Sequence, residues 1–571
     1  MDSTVRKRLI DVAAKRVPAD LVICDAQVVN VFTGTIERAD VAIVGNLIAG
    51  IGSYTADTCI DAAGRYLLPG LIDAHVHIES ALVDPSSFAQ LTLVHGTTTV
   101  IADPHEIANV CGLDGIDYML ASSENLPQDI FFMLPSCVPA TEFEHAGANL
   151  DAKTLAQRIG HPRILGLGEM MDMVGTISGE KYILDKLAVA EQAEKLIDGH
   201  APDLNSSAIA AYAAAGIHTD HECATIQEMH DRIALGMYVL LREGSACKDL
   251  RNLLPGVTPY NAHRCLFCTD DRQPSSILKE GHIDNHLRIA VSMGLDPILA
   301  IRMATLNAAQ CYHLYDRGAI APGRKADMIL VDNLKDFTVS EVITNGVPYR
   351  NHAAQQTLDP RVSSRVNIGS FSQKSLLMPL RSPQVRVIGI QSGSVVTTSE
   401  EATVSLDHDG NFAGGEDVVR LAVVERHHAT GHVGLALLHG YGITQGAVAT
   451  TIAHDSHNII VAGDNDEDMV LAVQKLRELG GGIVIVHNNR VLDALPLPIA
   501  GLMTNEGGAF VDEKLNTMQS LARNTLHIHD DIDPFMTLSF MALPVIPHLK
   551  VTDMGLFDVD QFTHVPLEIT R

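Results

Sequence analysis

The chain contains no tryptophan, and aromatic residues make up only 4% of its 571 positions. With so few aromatic platforms, little is available for stacking the bases of a single-stranded nucleic acid. Basic residues are also in deficit: 41 Lys and Arg face 69 Asp and Glu, for a formal charge of −28. Nucleic-acid backbones and anionic membranes bind to basic patches, so the charge argues against both as partners. A small neutral substrate stays open. No apolar run reaches the roughly 18 to 20 residues of a membrane span. The opening MDSTVRKRLIDVAAKR is basic and helical in pattern, without the apolar stretch of a secretory signal. Nine scattered cysteines, an odd number, suit a reducing compartment better than a disulfide scaffold. The expectation is a soluble, cytoplasmic chain of more than one domain.

Residues 20–60 alternate short β-branched runs with Gly, Asn and Asp turns and read as a small antiparallel sheet. A second stretch of this kind spans 318–350. Between them, eight short apolar segments alternate with longer helical ones: LIDAHVHI, TTTVIADPH, IFFMLPSC, ILGLGEM, KLIDGHAP, GIHTDHE, YVLLREG and CLFCTDD. Strand then helix, eight times over in about 250 residues, fits a (β/α)8 TIM-type barrel over 67–317. A doubly wound sheet would produce similar local patterns. A polar stretch, 351–375, reads as a linker, and 376–571 as a further C-terminal α/β domain.

The placement of ionisable residues separates these alternatives. His75 and His77, Asp103 and His105, Glu169, His200, His221, and Asp270 with Asp271 fall at the C-terminal ends of their strands. In a barrel those ends converge on one mouth. His75 and His77 are two residues apart, so on a strand both point the same way, together with Asp73. Four imidazoles and two carboxylates (His75, His77, His200, His221, Glu169, Asp270) offer mixed nitrogen and oxygen ligation. That suits Zn²⁺, Mn²⁺ or Fe²⁺ better than Ca²⁺ or Mg²⁺. Six ligands exceed what one tetrahedral ion needs, so two ions are expected. Metal-assisted hydrolysis is the reaction class, with Asp270 as the carboxylate that moves a proton.

Two motifs are set aside. Cys265 and Cys268 form a CxxC, but residues three apart on a strand face opposite ways. HAGA at 145–148 lacks the glutamate of the HAGE of adenosine deaminases and reads as loop. His427, His428 and His432 read as a solvated or interface surface. His454, Asp455, His457 and Asn458 read either as turn contacts before the strand NIIVAG or as a lid over the site.

PGLIDAHVHIES, ADPHEIANV, GLGEM, DGHAP, HTDHEC and FCTDDR, in this order, resemble the amidohydrolase superfamily and within it the bacterial adenine deaminases. RKADMILVD resembles the returning half of the composite β-sandwich that such enzymes build from both chain ends, here 1–66 and 318–350. AHDSHNIIVAGDNDEDM, 453–469, resembles the signature of the adenine deaminase C-terminal domain. The resemblance implies hydrolysis of adenine to hypoxanthine and ammonia, in purine salvage, by metal-activated hydroxide attack at C6. It implies metal ligands at His75, His77, Glu169, His200, His221 and Asp270, with Mn²⁺ or Fe²⁺ favoured and Zn²⁺ allowed. Glu169 stands where much of the superfamily has a carboxylated lysine, and His221 rather than His218 matches the strand-six ligand. Asp270 would carry a proton to the departing amine, and Glu169 is a candidate proton donor to ring N1. Asp103 and His105, outside the minimal ligand set, are expected to bind the purine or add a ligand. A homo-oligomer, taken as a dimer, is expected. Rival readings are a deaminase of a modified adenine such as N6-methyladenine, a cyclic-amide hydrolase on the same barrel, and a non-catalytic scaffold.

Overall fold

Short β-branched segments separated by amphipathic helices can bury both faces of a strand only if the strands lie parallel beneath the helices. The computed structural model describes residues 2–351, 358–363 and 365–569, and it has that arrangement. Eight strands, Leu71–Val76, Thr97–Ala102, Asp129–Leu134, Ile164–Met170, Leu196–Gly199, Thr219–Asp220, Tyr238–Arg242 and Cys265–Cys268, follow one another around a barrel. The first five pair in parallel, as do the last three. The His218 amide, donating to the Ile197 carbonyl at 2.9 Å, joins the two groups. The ring closes beside the candidate site: the Asp270 amide donates to the His75 carbonyl at 3.0 Å, and the His77 amide to the Asp270 carbonyl at 3.3 Å. Cys265 and Cys268 join different apolar clusters, as opposite faces require.

Strands from both sides of the barrel segment form one eight-stranded sheet. Leu21–Asn30 pairs antiparallel with Thr35–Val44 but parallel with Cys59–Asp61 and Tyr66–Pro69. The expected antiparallel sheet is therefore mixed, because the intervening strands act as a crossover that returns the chain in the same direction. Met328–Val331 closes the sheet against Tyr66–Pro69. Cys24 and Cys59 lie on neighbouring strands with Cα atoms 6.4 Å apart, and the other seven cysteines are free.

The C-terminal region is built on a second eight-stranded sheet running from Thr397–Thr403 to Arg490–Pro496. Period-two alternation divides its side chains. Ala422, Val424, Val461 and Val484 pack with Met469, Ala472 and Leu476 of helix Asp466–Leu479. Leu421, Val423, Ile460 and Ile483 pack on the other face with Leu515 and Met518 of helix Gly508–Leu526. That second cluster continues into Ile78, Leu82 and Phe88 beside the barrel mouth. One face of the sheet thus roofs the barrel. Of the expected linker, residues 352–357 and 364 lie outside the described residues, and Ser363 bridges to Ile499. Among the described residues no helix is long and apolar enough to cross a membrane.

Candidate metal centre

All six expected ligands meet at the barrel mouth. His75 Nε2 and His77 Nε2 stand 3.2 Å apart, with Asp270 Oδ1 at 3.6 and 3.0 Å from them respectively. Glu169 sits in the middle. Its Oε1 lies 3.4 Å from His77 and 3.3 Å from His105, and its Oε2 lies 2.8 Å from His200 and 3.3 Å from His221. The His75 and His221 rings stack with centroids 4.2 Å apart.

The backbone determines which nitrogen of His77 is free. Its Nδ1 is 2.9 Å from the Asp103 carbonyl, an oxygen that can only accept, so Nδ1 carries the hydrogen. In the neutral ring Nε2 therefore turns a lone pair toward the cluster, as a metal ligand must. With no ion in place, the neighbouring carboxylates instead favour positive charge on the rings themselves. Burial opposes a charged ring, yet Asp270 and Glu169 hold His77 well above its ordinary value. Burial weighs against a charged ring at His221 too, but Glu169, Asp270 and Glu222 together raise it to about 9. His75, buried beside His221, falls to about 4. The carboxylates therefore draw positive charge onto the cluster, and His105 Nδ1, buried there, has no hydrogen-bond partner. This donor set fits one or two divalent ions with mixed nitrogen and oxygen ligation.

Asp103 supports the centre from below. Its carbonyl accepts from His77, and its Oδ2 accepts the Glu169 amide at 3.0 Å. The two contacts need a bare backbone at Gly168, where an added Cβ would meet Asp103 Oδ2 at 2.1 Å. Asp73 sits deeper, accepting from the Thr269 amide at 3.0 Å and the Thr269 hydroxyl at 2.5 Å. His218 tilts against Tyr238 and away from the cluster.

Several groups at the mouth escape a reading of the sequence. Glu222, one residue past His221, lies 3.4 Å from it and pairs with Arg242. Arg242 also donates to Asp270 Oδ2 at 3.0 Å and to Asp249 at 3.0 Å. The one sequence signal for Arg242 is a charge ending the seventh strand, YVLLREG. Burial pushes Asp270 toward neutrality, but His75, His77 and Arg242 hold its carboxyl well below the usual range.

A cavity opens beside the cluster, between the barrel and the C-terminal roof. Leu82, Ile452, Leu502, Leu515 and Phe540 line it with apolar surface, and Ser80, Glu106, Asp271 and His454 supply polar groups. Asp103 and His105 do not line this cavity: His105 lies between Glu169 and Glu106, with its Nε2 3.6 Å from the latter. Asp271 accepts from the Ser80 hydroxyl and lines the cavity.

Glu106 is gripped from the roof, with His454 Nδ1 at 2.6 Å from one oxygen and His457 hydrogen-bonded to the other. His457 has the opposite tautomer to His77. Its Nδ1 accepts the Ala453 amide at 3.2 Å, so its hydrogen is on Nε2 and points at Glu106. This trio is a hydrogen-bonded clasp, with no lone pair of His457 offered to an ion. Of the histidines expected on a solvated or interface surface, His427 is half-buried, its Nε2 bonding the Ser456 carbonyl at 2.7 Å, and the exposed His428 reaches the Ala146 carbonyl of the barrel at 2.9 Å.

Residues 66–348 match the model of the amidohydrolase family, and residues 394–563 match that of the adenine deaminase C-terminal domain. A protein named adenine deaminase from Nitratidesulfovibrio vulgaris (strain DP4) is 56% identical over 560 residues, covering 97% of each chain. This chain belongs to the adenine deaminase family. A Desulfotalea psychrophila protein named adenine deaminase 2 is 51% identical over the full length of both chains. One from Geobacillus kaustophilus, named adenine deaminase, is 45% identical, again over both full lengths. The two matched models together span the barrel and most of the roof.

Proposed function

We propose that the chain hydrolyses adenine to hypoxanthine and ammonia at the barrel mouth, with Mn²⁺ or Fe²⁺ preferred over Zn²⁺. The observation that carries this reading is the convergence of five imidazoles, Glu169 and Asp270 beside a largely apolar cavity, in a chain of this family. His75, His77, Glu169, His200, His221 and Asp270 would hold the metal, with His105 Nδ1 within reach. A divalent ion there supplies Lewis acidity and lowers the pKa of bound water.

The chain's own residues do the rest. Asp270 is held ionised and anchored through one oxygen by Arg242. It takes the proton of the attacking water and passes it to the departing amine. Glu169 touches four or more imidazoles and is held well below the usual carboxylate range, against its burial. Its part is that of a ligand, and proton donation to N1 falls to another group. The apolar walls accept the faces of a neutral planar base, and Ser80, Asp271 and Glu106 offer hydrogen bonds to its edge.

Chelator-treated protein reloaded with Mn²⁺ or Fe²⁺ and offered adenine, N6-methyladenine and dihydroorotate tests this. Ammonia and hypoxanthine should form from adenine. Silence on adenine together with turnover of either alternative would overturn the assignment.

A further inference from the structure

His145, in the loop after the third barrel strand, is not absorbed by the site described above, nor is His432, in the loop joining strands Val418–Val424 and Val433–His439. The fold brings both to Asp553, at the turn between Leu549–Thr552 and Gly555–Asp558. His145 Nδ1 is 2.5 Å from Asp553 Oδ2, and His432 Nδ1 is 4.0 Å from the same oxygen. The two rings meet edge to face with centroids 5.0 Å apart.

We infer that His145, His432 and Asp553 form a second divalent-cation site, suited to Zn²⁺, that staples the C-terminal roof to the barrel. Three features support it. The three ligand atoms lie close together, and small side-chain shifts would take the 2.5 Å His145–Asp553 hydrogen bond and the 4.0 Å His432–Asp553 separation to the roughly 3.4 Å edge of a tetrahedron with metal–ligand bonds of about 2.1 Å. The carboxylate is already oriented: its Oδ1 accepts the His145 amide at 3.0 Å, leaving Oδ2 for the ion. It is also buried, and among the described residues its ion pairs are with these two imidazoles alone. Two imidazolium rings beside one carboxylate would repel each other. Two neutral rings would leave the carboxylate's charge unbalanced, and one protonated ring would balance it but leave the second imidazole to solvent. A single divalent ion satisfies all three groups, with solvent filling the fourth position, since His432 is about half exposed.

The staple would act close to the mouth. The Asn458 amide donates to the His145 carbonyl at 2.8 Å, and Asn458 directly follows His457 of the Glu106 clasp. An ion at Asp553 would fix the loop that carries both contacts. This site shares no ligand with the barrel centre, so its test is independent of the deaminase reading.

The test is equilibrium dialysis of chelator-stripped full-length protein against Zn²⁺, with metal analysis and thermal melting, for the unaltered chain, His432→Ala and His145→Gln. Each variant should bind one Zn²⁺ per chain fewer than the unaltered protein and lose part of the Zn²⁺-dependent rise in Tm. His432 is exposed enough that its removal leaves the fold intact, which circular dichroism checks. Equal zinc stoichiometry in all three proteins would overturn the proposal and leave His145–Asp553 as an ion pair.

Discussion

Two groups of buried histidines lie within one molecule and within reach of one another through His105, yet they are wired in opposite senses. In the barrel, His77 gives its Nδ1 hydrogen to the Asp103 carbonyl and presents a lone pair inward. In the roof, His457 accepts the Ala453 amide at Nδ1 and presents a hydrogen to Glu106. The residue types and burial are alike, and a single backbone hydrogen bond reverses the chemistry available. An inventory of ligating side chains would score both as metal sites. The backbone partner of the far nitrogen separates a metal centre from a clasp.

That contrast can be broken most forcefully at Asp270, the proton carrier of the barrel group. Asp270→Asn should lower kcat on the order of 10³-fold with the fold retained, because an amide cannot take up the water's proton. Steady-state kinetics on metal-loaded protein checks this, and near-normal kcat would remove Asp270 from its role. Next in size is Gly168→Ala. Forcing a Cβ onto Asp103 should cost about 3 kcal/mol and disturb His77 and Glu169 together. A fall in Tm accompanied by weaker cation binding is the expected pair of readouts.

The roof offers a pH-dependent counterpart. Lys550 is buried and donates to the carbonyls of Val395 at 2.9 Å and Phe540 at 3.0 Å, and the Phe540 ring stacks on His454. Burial lowers its pKa from 10.5 to about 7. Above about pH 7 the unfolded chain keeps a proton that the folded chain releases, so stability should rise with pH toward 10.5. The gain is about 2 kcal/mol between pH 7 and pH 9. Denaturant melts at those two values should show this rise in the unaltered protein and a flatter response in Lys550→Met. The smallest effect belongs to the clasp. His457→Ala should reduce kcat/KM about tenfold by loosening Glu106 at the cavity wall, with the barrel's cation content unchanged.

Much of the barrel site was legible because a strand's period and the shared direction of parallel strands act locally. HVH at 75–77 and the polar residues ending strands four, five, six and eight needed only those rules. The parts that escaped depend on contacts across the chain. Glu106 and His457 meet over 351 positions, and no local pattern marks a pairing of that kind. Arg242 looked like an ordinary charge at a strand end until its fork met Glu222, Asp249 and Asp270. Asp103 and His105, outside the minimal ligand set, carry the expectation that they bind the purine or add a ligand. Asp103 turns beneath Glu169 and His105 faces the same carboxylate, while Glu106, the next residue, lines the cavity together with the loops after strands one, seven and eight and the roof.

The most direct measurement is the cation content of chelator-stripped protein reloaded with Mn²⁺, compared between His77→Ala and His457→Ala. If the far-nitrogen wiring decides function, His77→Ala should hold at least one Mn²⁺ fewer per chain, while His457→Ala matches the unaltered protein. Loss of Mn²⁺ from His457→Ala, with His77→Ala still fully loaded, would contradict it.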